Sequence, residues 1–118
     1  MKYNFLSAFF AFVLWGGWAL YINSAQVMSG IAQGIASFLI TLLIAIAVEK
    51  QYRFFKSPVL KLMCPPVLTI LFTTTCLVII HHLIHTPQIL KTILPASTVA
   101  FLFACLTTYK IHKASHGK

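Results

Sequence analysis

Apolar positions along this chain come as four long runs, roughly 5–22, 27–48, 66–84 and 90–109, rather than as amphipathic stripes. Each run approaches the ~20 residues that an α-helix needs to cross a hydrocarbon core. A helix also satisfies every backbone N–H and C=O within itself, which lipid demands. The pattern predicts an all-α membrane protein: one domain over 1–118, folded as a bundle of four transmembrane helices. Polar joints separate the runs: Asn23-Ser24-Ala25-Gln26, a basic segment from Glu49 to Cys64, and a turn at His85-Thr86-Pro87. The first run exceeds the ~7–15 apolar residues of a secretory signal, so it is expected to stay as a helix.

Prolines sharpen the later elements. Cys64-Pro65-Pro66 reads as the start of helix three, where missing N–H groups cost nothing. Thr86-Pro87 reads as an N-cap followed by a first-turn proline. Pro95, about two turns further on, is expected to kink the fourth helix or to set off a short interfacial piece.

Composition agrees with the pattern. The chain has 118 residues, 59% hydrophobic and 8% charged, against about 25% charged in a soluble domain. So few charges cannot wet a globular surface. Nine Lys and Arg face a single acid, Glu49, for a net charge of +8. In a soluble protein that balance would suggest nucleic acid; here the cations sit at the ends of apolar runs, so no nucleic-acid partner is read. Lys2, Lys50, Arg53, Lys56, Lys61, Lys110, Lys113 and Lys118 fall on one side of an up-down bundle, and only Lys91 falls on the other. Positive charge marks the cytoplasmic side, so both ends are placed inside. Tyr3, Tyr52 and Tyr109 would lie at the inner boundary, with Trp18 and Tyr21 at the outer one. The reading is an integral protein of a bacterial cytoplasmic (inner) membrane, in contact with anionic lipid. Ser37–Lys50 and Ser97–Lys110 are equal stretches running from a serine through an apolar helix to a lysine, which suggests a parallel two-helix repeat.

Candidate chemistry gathers on helix two. Gly30, Gly34, Ser37, Thr41, Ala45 and Glu49 fall on one helical face. Gly30-x-x-x-Gly34 lets another backbone approach closely, either within the bundle or across a homodimer seam. Gln33 lies inside the span, where an unpaired amide is expensive; with Ser37 it offers polar contacts to a neighbouring helix or a wet cavity. His81, His82 and His85 end helix three. Protonated, they would join Lys91 in an outer cationic rim for an anionic headgroup. His81 and His85 have the spacing of a metal-binding pair, but no third ligand is near, and no metal, haem or other cofactor is read. Cys76 and Cys105, within apolar runs, read as small hydrophobes, and no disulfide is read from these two or from Cys64. Glu49 reads as an interfacial partner of Lys50 and Arg53. With no acid deep in a span, the chain departs from small multidrug resistance antiporters.

Lys50, Arg53 and Lys56, interleaved with Tyr52, Phe54 and Phe55, could donate to a lipid phosphate. This layout resembles the GtrA family, small four-helix membrane proteins with basic-aromatic segments after helices two and four. Lys50 to Phe55 carries the resemblance, with Tyr109-Lys110 as its counterpart; the family's asparagine-arginine-aromatic signature is replaced by Lys50-Gln51-Tyr52-Arg53-Phe54. The resemblance implies movement of polyprenyl-phosphate-linked sugars across a membrane.

No hydrolase triad, phosphate-binding loop or paired carboxylates occur. An enzyme is not expected, because general acid–base chemistry would have little beyond histidine to work with. The expectation is a small membrane protein that binds or transports a lipid-linked or anionic substrate, as a homo-oligomer or beside a larger membrane protein. The alternative is a non-transporting accessory subunit of a larger complex.

Overall fold

The computed structural model describes residues 2–24 and 26–116, with side chains from Phe5 to Ser115 apart from Ala25. Lys118 and Ala25 lie outside the described residues, as do the side chains of Lys2 and Tyr3. Four helices make up the chain: α1 (Lys2–Ile22), α2 (Val27–Phe54), α3 (Pro58–Leu83) and α4 (Ile89–His116). Each is long and apolar enough to cross a membrane. α2 touches each of the other three, whereas α1 and α3 do not meet among the described residues.

Polarity is arranged for lipid. Large apolar side chains such as Leu6, Phe10, Phe72, Leu83 and Leu94 are exposed, while the buried set is dominated by small and polar residues: Ala8, Ala19, Ser29, Gln33, His81 and Thr92. In hydrocarbon, burying leucine gains little, so helices associate through close backbone approach and hydrogen bonds. A small apolar core of Ile44, Val48 and Ala104 joins α2 to α4.

The helices run further than the apolar runs. The expected joint over Glu49 to Cys64 shrinks to residues 55–57, because α2 continues through Arg53 and α3 begins at Pro58. Polar residues hold this extension: Gln51 Nε2–H donates to the Ala47 carbonyl and to Thr69 Oγ1, and Arg53 pairs with Glu49 at 3.1 Å. Lys61 Nζ donates to the Tyr52 carbonyl at 2.7 Å and so closes the helix end. Tyr52 is buried within the bundle, its hydroxyl 2.9 Å from His112 Nδ1. Ser57-Pro58 takes the starting role assigned to Cys64-Pro65-Pro66, and Pro65 and Pro66 sit inside α3.

At the opposite end the turns use left-handed residues. Ser24 (φ 54°) and His85 (φ 59°) each follow a helix end. The Thr86 N–H reaches back to the His81 carbonyl at 2.9 Å, the six-to-one bond of a Schellman termination. Thr86 does not cap α4: α4 begins at Ile89, and the Thr86 hydroxyl turns inward.

Pro95 lies within an unbroken α4. Its missing N–H leaves the Lys91 carbonyl free, and the Trp18 indole N–H from α1 donates to that oxygen at 2.8 Å. Trp18→Phe is expected to cost about 0.5–1.5 kcal/mol. In a Pro95→Ala background the cost should nearly vanish, since the restored N–H takes the same carbonyl. Unfolding midpoints in SDS, followed by circular dichroism, check this; an equal cost in both backgrounds would show that Trp18 acts by packing alone.

Candidate functional site

Three features combine in the bundle. The first is a chain of buried hydrogen bonds at the end away from the basic residues. His81, in the last turn of α3, is wholly buried. Its Nε2–H donates to Gln33 Oε1 of α2 at 2.7 Å, and its Nδ1 lies 2.7 Å from Thr86 Oγ1. Thr86 Oγ1 is 2.8 Å from Ser29 Oγ, whose hydroxyl donates to Gln26 Oε1. In the other direction, Gln33 Nε2–H donates to Ser37 Oγ at 3.2 Å. Six side chains from α2, α3 and the α3–α4 turn thus form one path. A second cluster ties α1 to α4: Asn23 Nδ2–H donates to the Ala19 carbonyl and to Thr92 Oγ1, while Asn23 Oδ1 accepts the Gln88 N–H at 2.8 Å. Among the described residues, no buried side-chain nitrogen or oxygen lacks a partner. That is what a low-dielectric surrounding requires.

The second feature is a glycine seam. A Cβ on Gly16 of α1 would lie 3.1 Å from the Gly30 carbonyl oxygen and 3.4 Å from Gly34 Cα. Gly30 and Gly34 therefore pack against α1 of their own chain. The single face read from the sequence divides here: Ser37 and Thr41 face a cleft, Ala45 is half-buried, and Glu49 is exposed beside Arg53.

The third feature is that cleft, about 230 Å³ in volume. All four helices line it: Ser7–Trp15 of α1, Ser37–Ile44 of α2, Thr73 and Leu77 of α3, and Ala96–Phe103 of α4. Its walls are mainly apolar, with the hydroxyls of Ser7, Ser37, Thr41, Thr73 and Ser97 spaced along them and no charged residue among the lining. Phe10 and Leu14 on one side, and Val99 and Phe103 on the other, are exposed on the outside of the bundle. The cleft therefore opens sideways between α1 and α4. These two helices are held together by Trp18 and Asn23, near the histidine end.

The site residues read from the sequence distribute as follows. Gln33 and His81 meet, and Ser37 connects them to the cleft. His81 leaves the expected outer rim, because the helical phase that buries Leu77 also buries His81. His82, His85 and Lys91 remain exposed. Lys50, Arg53 and Lys56 do not converge: a shallow depression at the basic end brings Arg53 together with Lys61, Tyr52 and Ser115, without Lys50 or Lys56. Lys61 Nζ also lies 4.5 Å from the Tyr52 ring centroid. Ser29, Asn23, Thr86 and Thr92 were not singled out from the sequence. Asn23 and Thr86 had read as turn residues, since loop polarity and buried polarity look alike at a helix end. Ser29 carries one usable signal, its spacing of four from Gln33.

Comparison of the chain with known family models, curated proteins and solved structures finds no match.

Proposed function

We propose that this protein binds and carries an amphiphile with a hydrocarbon chain and an anionic head, of the lipid-linked class, in a cytoplasmic membrane with its basic end inside. The lateral cleft carries this reading. A slot opening between α1 and α4 at the depth of the spans is reached from lipid rather than from water. It is smaller than the ~300–1,000 Å³ of drug-sized sites, which suits a segment of chain better than a whole soluble solute. The hydroxyls along its walls are neutral contacts past which a polar group could move. The exposed cations Lys50, Arg53 and Lys56 at one end, and Lys91 with His82 and His85 at the other, are suited to receive a head carrying phosphate.

Native mass spectrometry of the chain released from nanodiscs tests the proposal. The expected result is an anionic lipid, polyprenyl phosphate or a glycolipid phosphate, retained at fixed stoichiometry. Ala100→Phe, which fills the cleft, is expected to abolish retention. Joint replacement of Lys50, Arg53 and Lys56 by Gln should weaken retention by at least tenfold, since each cation near an anionic surface is worth about 1 kcal/mol. Bulk phospholipid alone, unchanged by Ala100→Phe, would end the proposal.

The accessory-subunit reading draws on a different observation: among the described residues the buried side-chain polar groups are all paired, and no ionisable residue lines the cleft. It expects a second polypeptide at fixed stoichiometry in the same spectrum.

A further inference from the structure

Among the described residues His81 is the one buried histidine, and the carrier reading leaves it unused. Its surroundings can be analysed by counting hydrogens. The path from Nδ1 to Thr86, Ser29 and Gln26 Oε1 contains three hydrogen bonds. Its two hydroxyls supply two hydrogens, and Gln26 Oε1 supplies none. With Oε1 of Gln26 at the far end, the third hydrogen must come from His81 Nδ1. On the other side, Gln33 Oε1 can only accept, so Nε2 must also carry a hydrogen. With both amides oriented as they are here, every hydrogen bond of the path is made in one protonation state, with a proton on each ring nitrogen.

Removing one proton leaves two neutral arrangements, and each requires an amide to turn. If Nδ1 gives up its proton, the hydroxyls of Thr86 and Ser29 reverse, and Gln26 must present its NH₂ to Ser29. If Nε2 gives up its proton, Gln33 must present its NH₂ to His81 and its oxygen to Ser37. The Ser37 hydroxyl then changes from acceptor to donor. Ser37 lines the cleft, and Gln26 lies at the edge of the bundle.

We propose that His81 is a proton-binding site whose occupancy is transmitted along one of two routes, through Gln33 to the Ser37 hydroxyl at the cleft or through Thr86 and Ser29 to Gln26, according to which ring nitrogen releases the proton. Only one N–H bond of the ring forms or breaks in this step: water supplies the proton on loading and receives it on release, and the hydroxyls and amides reorient while keeping their own hydrogens. The inference stands apart from the carrier reading, since it concerns the protein without substrate. Other ionisable groups at this level are few. His82 and His85, next to His81, and Lys91 on α4 are exposed, as is Tyr21 on α1, while Cys76 on α3 is half-buried. α2 presents no ionisable group between Val27 and Val48, and the only acid in the chain, Glu49, lies at the other end of that helix. A proton on His81 would have no counter-ion and would be held by oxygen dipoles alone.

Solid-state NMR of the whole chain in lipid bilayers, from about pH 4 to 9, reads the ring nitrogens directly. His82→Gln with His85→Gln simplifies the spectrum. The expected result is a His81 transition between doubly protonated and neutral rings, with the Gln33 or Gln26 side-chain amide resonance shifting at the same midpoint. Thr86→Val, which lacks the hydroxyl, should abolish the Gln26 response, and Thr86→Ser should retain it. A His81 ring fixed in one protonation state across the range would overturn the proposal. So would a titration that leaves both amides unmoved, or a Gln26 response that survives in Thr86→Val.

Discussion

Gly34→Leu will loosen α1 from α2, whereas Gly17→Leu, on the same pair of helices, will leave the bundle intact. A Cβ at Gly34 would lie 3.2 Å from the Phe12 carbonyl oxygen and 3.2 Å from the Phe12 ring. The ring can rotate away, but the carbonyl is fixed in its helix. Separation of the two axes is the remaining way to make room. Overpacking a well-fitted contact costs about 1–3 kcal/mol, and a contact with backbone belongs at the upper end. Widening the seam also weakens the α1–α4 ties at Trp18 and Asn23, because both depend on where α2 holds α1. Gly17 has nothing within 4 Å of its Cβ position and looks outward. A leucine there meets lipid and removes a glycine from a helix interior, a change worth within about 1 kcal/mol of stability. SDS-unfolding midpoints of the two variants decide the matter; equal midpoints would mean that the seam does not hold the bundle. Lost co-purification in Gly34→Leu could not be credited to a broken contact with another protein, because the variant damages the chain itself.

His81→Leu is expected to be the most costly change in the polar path, and His82→Leu nearly free. Removing the imidazole strands the buried Gln33 Oε1 and takes one hydrogen bond from the Thr86 hydroxyl, which keeps its bond to Ser29. Leaving a buried polar group unpaired costs about 1–3 kcal/mol, although membrane-embedded pairs average nearer 0.6 kcal/mol, because the unfolded reference state finds partners of its own. About 2 kcal/mol for the variant follows from one stranded acceptor and one lost hydrogen bond. Gln33→Leu alone should cost about half as much, since it strands one ring N–H. The double variant His81→Leu with Gln33→Leu should lose less than the sum of the singles, because replacing both partners removes the penalty along with the bond. Strict additivity would show that the two residues do not support each other. His82 is exposed, so its replacement by leucine strands nothing.

The spans were legible from the sequence because lipid imposes a simple demand: long apolar runs, each able to become a helix. Their ends were less so. The apolar run of α2 stops at Val48, but the helix continues because Gln51, Tyr52 and Arg53 find partners on α2, α3 and α4 that only the folded chain provides. Pro65-Pro66 looked like a start because prolines do best in a first turn; Pro58 occupies that turn instead. The glycine stripe was legible as a packing face, but its occupant was not. Gly16, on a different helix, completes it, and nothing in the local pattern of α2 points there. His81, His82 and His85 are equivalent in composition and differ only in helical phase. Thr69, Leu77 and His81 all lie on the buried face of α3 at spacings of four or multiples of four, and that phase was the available signal for His81.

The lengths of α2 and α4 have a consequence for the membranes this protein can occupy. Each has 28 residues, or about 42 Å of helix, against ~30 Å of hydrocarbon. The surplus lies at the basic end, where Lys50, Arg53, Lys110 and Lys113 project from the last turns on long aliphatic stems. A bilayer that thickens by a few ångströms can rise along these turns while the charged tips stay in the headgroups. A thinner one exposes turns that are already polar. The extra turns are expected to let α2 and α4 take up a change in bilayer thickness without tilting, whereas α1, with 21 residues, has no such length to spare.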